Sequence, residues 1–256
     1  MKIQYISDLH VEFNSRFADT HLIYKDQCSA SPEADVLIVA GDVANFPNIE
    51  MMLGLGYQDL SIPVLYVPGN HEFYHSDFNT TNDALEAFFK EKIPNLIFLH
   101  NRTHVKDDVI FIGSTLWSSL SQNPDHAVLY ANYMNDFRLV DNLTLDNYDN
   151  AFQDNRDFII RELNQTELKK RVVITHHSPT YQDTNPMFIG DPLNMFFSSD
   201  LDYLFEDPEV APQLWVHGHQ HHARDKVYNH TRVVCNPYAY PKEKDNGFQK
   251  HRIIEL

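Results

Sequence analysis

Leu214–His222 reads LWVHGHQHH, an apolar run that ends in four histidines around a single glycine. Such a run has the pattern of a strand buried on both faces, and a glycine at its end lets the backbone turn sharply and aim neighbouring side chains at one target. In an extended segment His217, His219 and His221 share a period of two and point one way, while His222 points the other. Parity therefore nominates three inward imidazoles, a concentration that suits a metal site at a strand end. Taken alone, the stretch fits a surface histidine cluster as well, so the decision rests on what the rest of the chain supplies.

Working outward, four other apolar runs end in polar residues of the same kind. Lys2–Ile6 leads to Asp8 and His10; Ala34–Ala40 to Gly41-Asp42; Ile62–Val67 to Gly69-Asn70-His71-Glu72; and Arg171–Thr175 to His176-His177. Each dipeptide or tripeptide is weak evidence by itself, but in an α/β sheet ligands gather at the carboxyl ends of strands. Five such exits in one chain point to one site. Adjacent residues face opposite ways, so one of His176 and His177 is expected to be a ligand and the other to face its surroundings; the choice falls on His176. Between the strands, Leu85, Phe88 and Phe89 recur at helical spacing within 79–92, with Thr80 or Thr81 as cap. Residues 47–57 are expected to form a short helix, 96–117 two or three short strands, and 227–235 a hairpin. The stretch 122–168, rich in Asn, Asp, Tyr and Phe, is expected to be a helical insert or cap. No Gly/Ser linker interrupts the chain, so a single domain over 1–256 is expected.

Composition narrows the function classes. With 256 residues, 43% hydrophobic and 12% aromatic, the chain can bury a sizeable core. A mean hydropathy of -0.42 without a long apolar run argues against a membrane partner. A formal net charge of -16 disfavours nucleic acid as a dedicated partner, since phosphate chains are bound by clustered Lys and Arg. A small phosphorylated substrate stays compatible, provided metal ions supply local positive charge. Asp8 and His10 interrupt the first apolar segment, so no secretory leader is expected. Cys28 and Cys235 are far apart with no CxxC, which fits a reducing cytoplasm.

The ordered set Asp8-x-His10, Gly41-Asp42, Gly69-Asn70-His71-Glu72, His176 and Gly218-His219-Gln220-His221 resembles the signature of the calcineurin-like metallophosphoesterase superfamily. The segments SDLHVEF, YVPGNHEFY, FIGSTLWS, MNDFR, VVITHHSP and VVCNPYAY extend the likeness to a bacterial and phage branch over nearly the whole chain. The resemblance implies an αββα sandwich, two mixed β-sheets flanked by helices with the site at the C-terminal strand ends. It implies two divalent ions, one held by Asp8, His10, Asp42 and His221, the other by Asp42, Asn70, His176 and His219. Mixed imidazole, carboxylate and amide donors suit manganese, iron or zinc better than calcium, with manganese favoured. The implied activity is phosphoester hydrolysis by in-line attack of a metal-bound hydroxide, diesters somewhat ahead of monoesters, with His71 protonating the leaving oxygen. A metal-binding regulatory protein without turnover and a nuclease are the alternatives. His177, His217 and Asp136 are candidates for supporting or substrate-contacting positions, and Glu72 for a structural one. His75 and His222 fit solvated or capping positions; Tyr74 and Tyr181 could wall a pocket, whereas Trp117 fits the core. One departure is the segment Tyr238-Ala239-Tyr240, where the family pattern leads one to expect a glycine.

Overall fold

Side-chain alternation along the strands builds the layers. In Val36–Ala40 (β2), Leu37 and Val39 pack to one side and Val36, Ile38 and Ala40 to the other, and all five are buried. Val109–Gly113 (β6) repeats this, with Val109 and Phe111 on one face and Ile110 and Ile112 on the opposite one. A strand apolar on both faces must lie between two covering layers. The chain, described here from a computed structural model over residues 1–14, 24–121, 123–243 and 245–256, satisfies that requirement with two face-to-face sheets.

The first sheet contains β1 (Lys2–Ile6), β2, β3 (Val64–Val67), β4 (Leu96–Phe98) and β11 (Ile253–Glu255), in the order β11-β1-β2-β3-β4. The second contains β5 (Arg102–Lys106), β6, β7 (Lys170–Ile174), β8 (Leu214–His217), β9 (Arg224–Tyr228) and β10 (Thr231–Cys235), in the order β5-β6-β7-β8-β10-β9. Strands β1 to β4 run parallel, as do β6, β7, β8 and β10, while β11, β5 and β9 lie antiparallel at the margins. Ile3, Ile38, Leu65 and Val67 of one sheet share a buried cluster with Phe111, Ile174, Leu214 and Val216 of the other. The αββα sandwich implied by the sequence is the fold observed.

Helices close the outer faces. In α1 (Thr81–Lys92), Thr81, Leu85 and Phe89 form one buried stripe, with Leu85 and Phe89 packed on the first sheet. The second sheet is covered by α2 (Pro124–Tyr130), α3 (Asp136–Leu139) and α4 (Leu145–Gln165). A reciprocal capping box starts α4: Asn147 N donates to Thr144 Oγ1 at 3.2 Å, and Thr144 N to Asn147 Oδ1 at 2.7 Å. Its buried residues Tyr148, Phe152, Phe158, Ile159 and Leu163 pack on the sheet, so most of 122–168 is a layer of the sandwich. Among the described residues of that stretch, Tyr133–Asn135 alone reach the cavity described below. Two expected elements differ in detail. β3 begins at Val64 because Pro63 has no N–H to donate, although its carbonyl still accepts from Leu37 at 3.1 Å. Residues 46–55 form 3-10 turns ending at Gly56, whose φ is 79°. No helix among the described residues is long and apolar enough to cross a membrane.

Candidate metal centre

Parallel strands put their carboxyl ends on one side, and the exits of β1, β2, β3, β7 and β8 converge there. Asp8, His10, Asp42, His219 and His221 all adopt left-handed backbone, with φ between 46° and 66°. Non-glycine residues occupy that region only where surrounding contacts impose it. Here the exit loops are laced together: Asp8 N donates to Gly41 O at 2.9 Å, His10 N to Asp42 O at 3.0 Å, and His219 N to Asp8 Oδ1 at 3.0 Å. Two glycines permit the approach. A Cβ on Gly69 would collide with Asp42 Oδ1, and one on Gly41 with the His176 ring.

The parity argument for three inward histidines fails for His217. The strand stops at that residue, Gln220 N folds back onto Gly218 O at 2.8 Å, and extended alternation no longer applies beyond it. His217 is wholly buried and turned away, its Nε2 3.0 Å from Asp183 Oδ2 and its Nδ1 2.9 Å from Gly218 O. Tyr228 also donates to Asp183, at 2.6 Å, so this group ties the 181–183 turn to β8 and β9.

Three donor clusters form among the described residues. In the first, atoms of Asp8, His10, Asp42 and His221 lie within 4.8 Å of one another; the second joins Asp42, His176 and His219, and a third joins His10, Glu12 and His71. Asp42 belongs to the first two. In the first, His10 Nε2 and His221 Nε2 stand 3.1 Å apart, and His221 Nε2 is 3.4 Å from Asp8 Oδ1. In the second, His176 Nε2 is 3.1 Å from Asn70 Oδ1, 3.2 Å from His219 Nδ1 and 3.3 Å from Asp42 Oδ1. Imidazole lone pairs that face each other beside carboxylates repel unless a proton or a cation lies between them. The donor set fits divalent metal ions.

Surrounding groups orient these donors. His176 Nδ1 donates to Ala40 O at 2.9 Å and His221 Nδ1 to Glu243 Oε2 at 2.6 Å, which in each ring leaves Nε2 for the centre. Asp136, at the start of α3, accepts from Asn70 Nδ2 and from Tyr74 OH, both at 2.7 Å, and so turns the Asn70 oxygen inward. The buried Glu72 carboxylate accepts from Asp42 N, Val43 N, Gly69 N and Tyr66 OH at 2.6–3.0 Å, bracing two exit loops. His71 stacks edge-on against His10 at 4.4 Å, with Nδ1 3.2 Å from Glu12 Oε1 and Nε2 3.1 Å from Tyr240 OH. His177 lies behind the centre, packed between Trp117 and His219 at ring separations of 5.4 Å and 4.3 Å.

The electrostatics follow from burial set against charge. Burial opposes ionisation of Asp42, yet the His176 and His71 imidazoles hold it well below the usual carboxylate range. Burial likewise opposes protonation of His176, but Asp42 and Asp8 push it up to about 9; His221 rises to about 10 beside Asp8 and Glu243. His71 also rises, burial being outweighed by Asp42 and Glu12. His177 falls to about 3 through burial and the charge on His176.

A cavity of 370 Å³ opens over the clusters, lined by Asp42, Asn70, His71, His219 and His221 and walled by other side chains that include Tyr74, Phe197 and Gln220. Trp117 is in the core, and Tyr181 lines a separate hollow of 280 Å³. His75 is exposed and His222 half-buried, and neither joins a cluster. Glu12, Glu243 and Asp183 were not singled out in the sequence; Glu12 lies two residues beyond His10, but nothing local marks the other two. At the departure from the family pattern, Ala239 adopts φ 64° and donates its N–H to Asp8 O at 2.8 Å. Alanine thus makes the backbone contact from left-handed backbone, at a cost of roughly 1–2 kcal/mol.

Comparison with known proteins agrees with this architecture. Uncharacterized protein L509 of Acanthamoeba polyphaga mimivirus is 27% identical over 279 aligned positions, covering 99% of this chain and 96% of the relative. A phosphopantetheinyl hydrolase from Mycobacterium tuberculosis has a similar solved structure, with a TM-score of 0.77 at 17% identity over 100% of this chain and 95% of the other. At that identity the likeness concerns the fold. The family model for calcineurin-like phosphoesterases matches residues 1–223, which span these clusters and the strands that carry them, and the chain belongs to that family.

Proposed function

We propose that this protein is a dinuclear-metal phosphoesterase that hydrolyses small phosphodiesters in preference to monoesters. The observation that carries the reading is the pair of donor clusters sharing Asp42, with His71 beside them. Two divalent ions, manganese first among them, would supply the positive charge that binds phosphoryl oxygens and lowers the pKa of the attacking water. Asp8, His10 and His221 would hold one ion, Asn70, His176 and His219 the other, and Asp42 both. His71 lines the cavity with Nδ1 beside Glu12 and Nε2 3.1 Å from the Tyr240 hydroxyl, and Nε2 can give a proton to the leaving oxygen as the phosphorus–oxygen bond breaks. Retention of that imidazole favours turnover over a purely regulatory role.

Charge favours the diester. The described lining includes Asp191 and Glu243 and no Lys or Arg, so the second negative charge of a monoester meets repulsion that a diester avoids. The same lining disfavours a nucleic-acid strand as substrate. Cys28 and Cys235 are buried free thiols, which suits a cytoplasmic, reducing setting. Manganese-loaded protein is expected to hydrolyse bis-p-nitrophenyl phosphate faster than p-nitrophenyl phosphate, and Asp42→Asn to lose both activity and metal. Absence of metal-dependent hydrolysis of either ester would sink the enzyme reading; a fully active Asp42→Asn protein would sink the shared-ligand assignment.

A further inference from the structure

An apolar wall runs from the metal centre to the outside. Phe197 stacks on the ligand His219, ring centroids 4.5 Å apart and planes 30° apart. Leu193 and Phe188 continue along the same cavity, and Phe188 is flanked on the surface by Met187 and Ile189, which are 81% and 74% exposed. Tyr133, 71% exposed, also lines the cavity. Exposed large apolar residues scattered singly need no explanation, but Tyr133 and Phe188 line one and the same cavity.

The 186–197 segment is held in place by local polar bonds. Asn185 Oδ1 accepts from Met187 N at 3.1 Å, Asp191 Oδ1 from Leu193 N at 2.9 Å, and Asn194 Nδ2 donates to Phe188 O at 2.6 Å. These bonds fix the backbone while leaving Met187, Phe188 and Ile189 presented to solvent. A cavity of 370 Å³ suits a small organic molecule, and the wall is continuous with the metal ligands. The occupant expected on it is therefore part of the substrate.

We infer that the mouth formed by Tyr133, Phe188 and Leu193 binds an apolar ester group of the substrate, making the preferred substrate a phosphodiester with an uncharged alkyl or aryl substituent. This rests on the phosphoesterase reading above and adds a specificity surface to it. A second copy of the chain is the competing occupant.

The test uses p-nitrophenyl esters of methyl, butyl and octyl phosphate, which share one leaving group and differ only in the group that would reach the mouth. With manganese-loaded protein, kcat/KM should rise from methyl to octyl, by up to about fourfold for each methylene that becomes buried. In a Tyr133→Ser/Phe188→Ser variant the octyl-to-methyl ratio should collapse toward one. Val227→Ser, an exposed change on β9 outside the cavity lining, should retain the wild-type ratio. Calorimetric binding of the octyl and methyl monoesters of methylphosphonate to manganese-loaded protein gives a readout independent of turnover. The octyl ester should bind more tightly to wild type and lose that advantage in the double variant. Chain-length independence in both assays overturns the inference while leaving the phosphoesterase reading standing. If no ester is hydrolysed, that reading fails, and the binding assay still decides the mouth. Sedimentation showing a wild-type dimer that the double variant abolishes, with ester affinities unchanged, assigns the surface to self-association and overturns the inference.

Discussion

Metal uptake should expel protons from His176 and His221. In the metal-free protein burial works against both charges, yet neighbouring carboxylates push the two groups up to about 9 and about 10. Both imidazoles are then protonated at pH 7, whereas a ligand nitrogen must be free of its proton. Each displaced proton makes the apparent affinity rise about tenfold per pH unit while the pH stays below that group's pKa. Moving from pH 7 to pH 8 should therefore strengthen manganese binding by about tenfold at each cluster, with about two protons released when both fill. Calorimetric titration in buffers of different ionisation enthalpy counts those protons. Glu243→Gln supplies a check, since it removes one of the carboxylates that raises His221. Proton release should fall in that variant, and the loss of ring orientation should weaken the first cluster about 10–100-fold. The linked effect on stability has a defined sign. Both pKa values lie above the unfolded value of about 6.5, so the contribution is full below about pH 6.5 and is lost as pH rises through 9 and 10. Metal-free protein should thus lose stability over that range. Binding without proton release, and independent of pH between 6.5 and 8.5, would refute both the protonation states and the ligand roles.

Two further outcomes separate chemistry from scaffold. His71→Ala should keep its metal and lose turnover by roughly 10²–10⁴-fold, the range for a positioned proton donor; metal analysis beside kinetics checks this, and loss of metal would make His71 a ligand instead. Glu72→Ala should leave three backbone N–H groups and the Tyr66 hydroxyl without their acceptor, each buried donor costing about 1–3 kcal/mol. Urea unfolding of metal-free protein measures it, and a loss below about 1 kcal/mol would show that those donors find other acceptors.

Much of the sandwich was legible because strand periodicity is a local property. β2 and β6 announce burial on both faces by unbroken apolar composition, and the alternate residues do pack into different layers. The β9–β10 hairpin and the helical stripe of α1 were readable for the same reason. The helical stretch around Phe152–Leu163 was visible too, but whether it capped the site or covered a sheet depended on which face met which partner. The strand-exit motifs were also local, since a carboxylate, amide or imidazole beside a glycine at the end of an apolar run can be seen without knowing the sheet order.

What required the tertiary structure is the set of pairings between distant loops. Asp136 orients Asn70 across 66 residues, Glu12 reaches His71 across 59, and Asp8 meets the His219 backbone across 211. No spacing rule encodes these contacts, because they form only when parallel strands bring their ends together. The nine residues 214–222 illustrate both limits. LWVHGHQHH told of a strand end rich in donors, and His219 and His221 do enter the clusters. Parity nominated His217 alongside them, and His217 instead bonds Asp183, because alternation holds only while the backbone stays extended and Gly218 ends the extension.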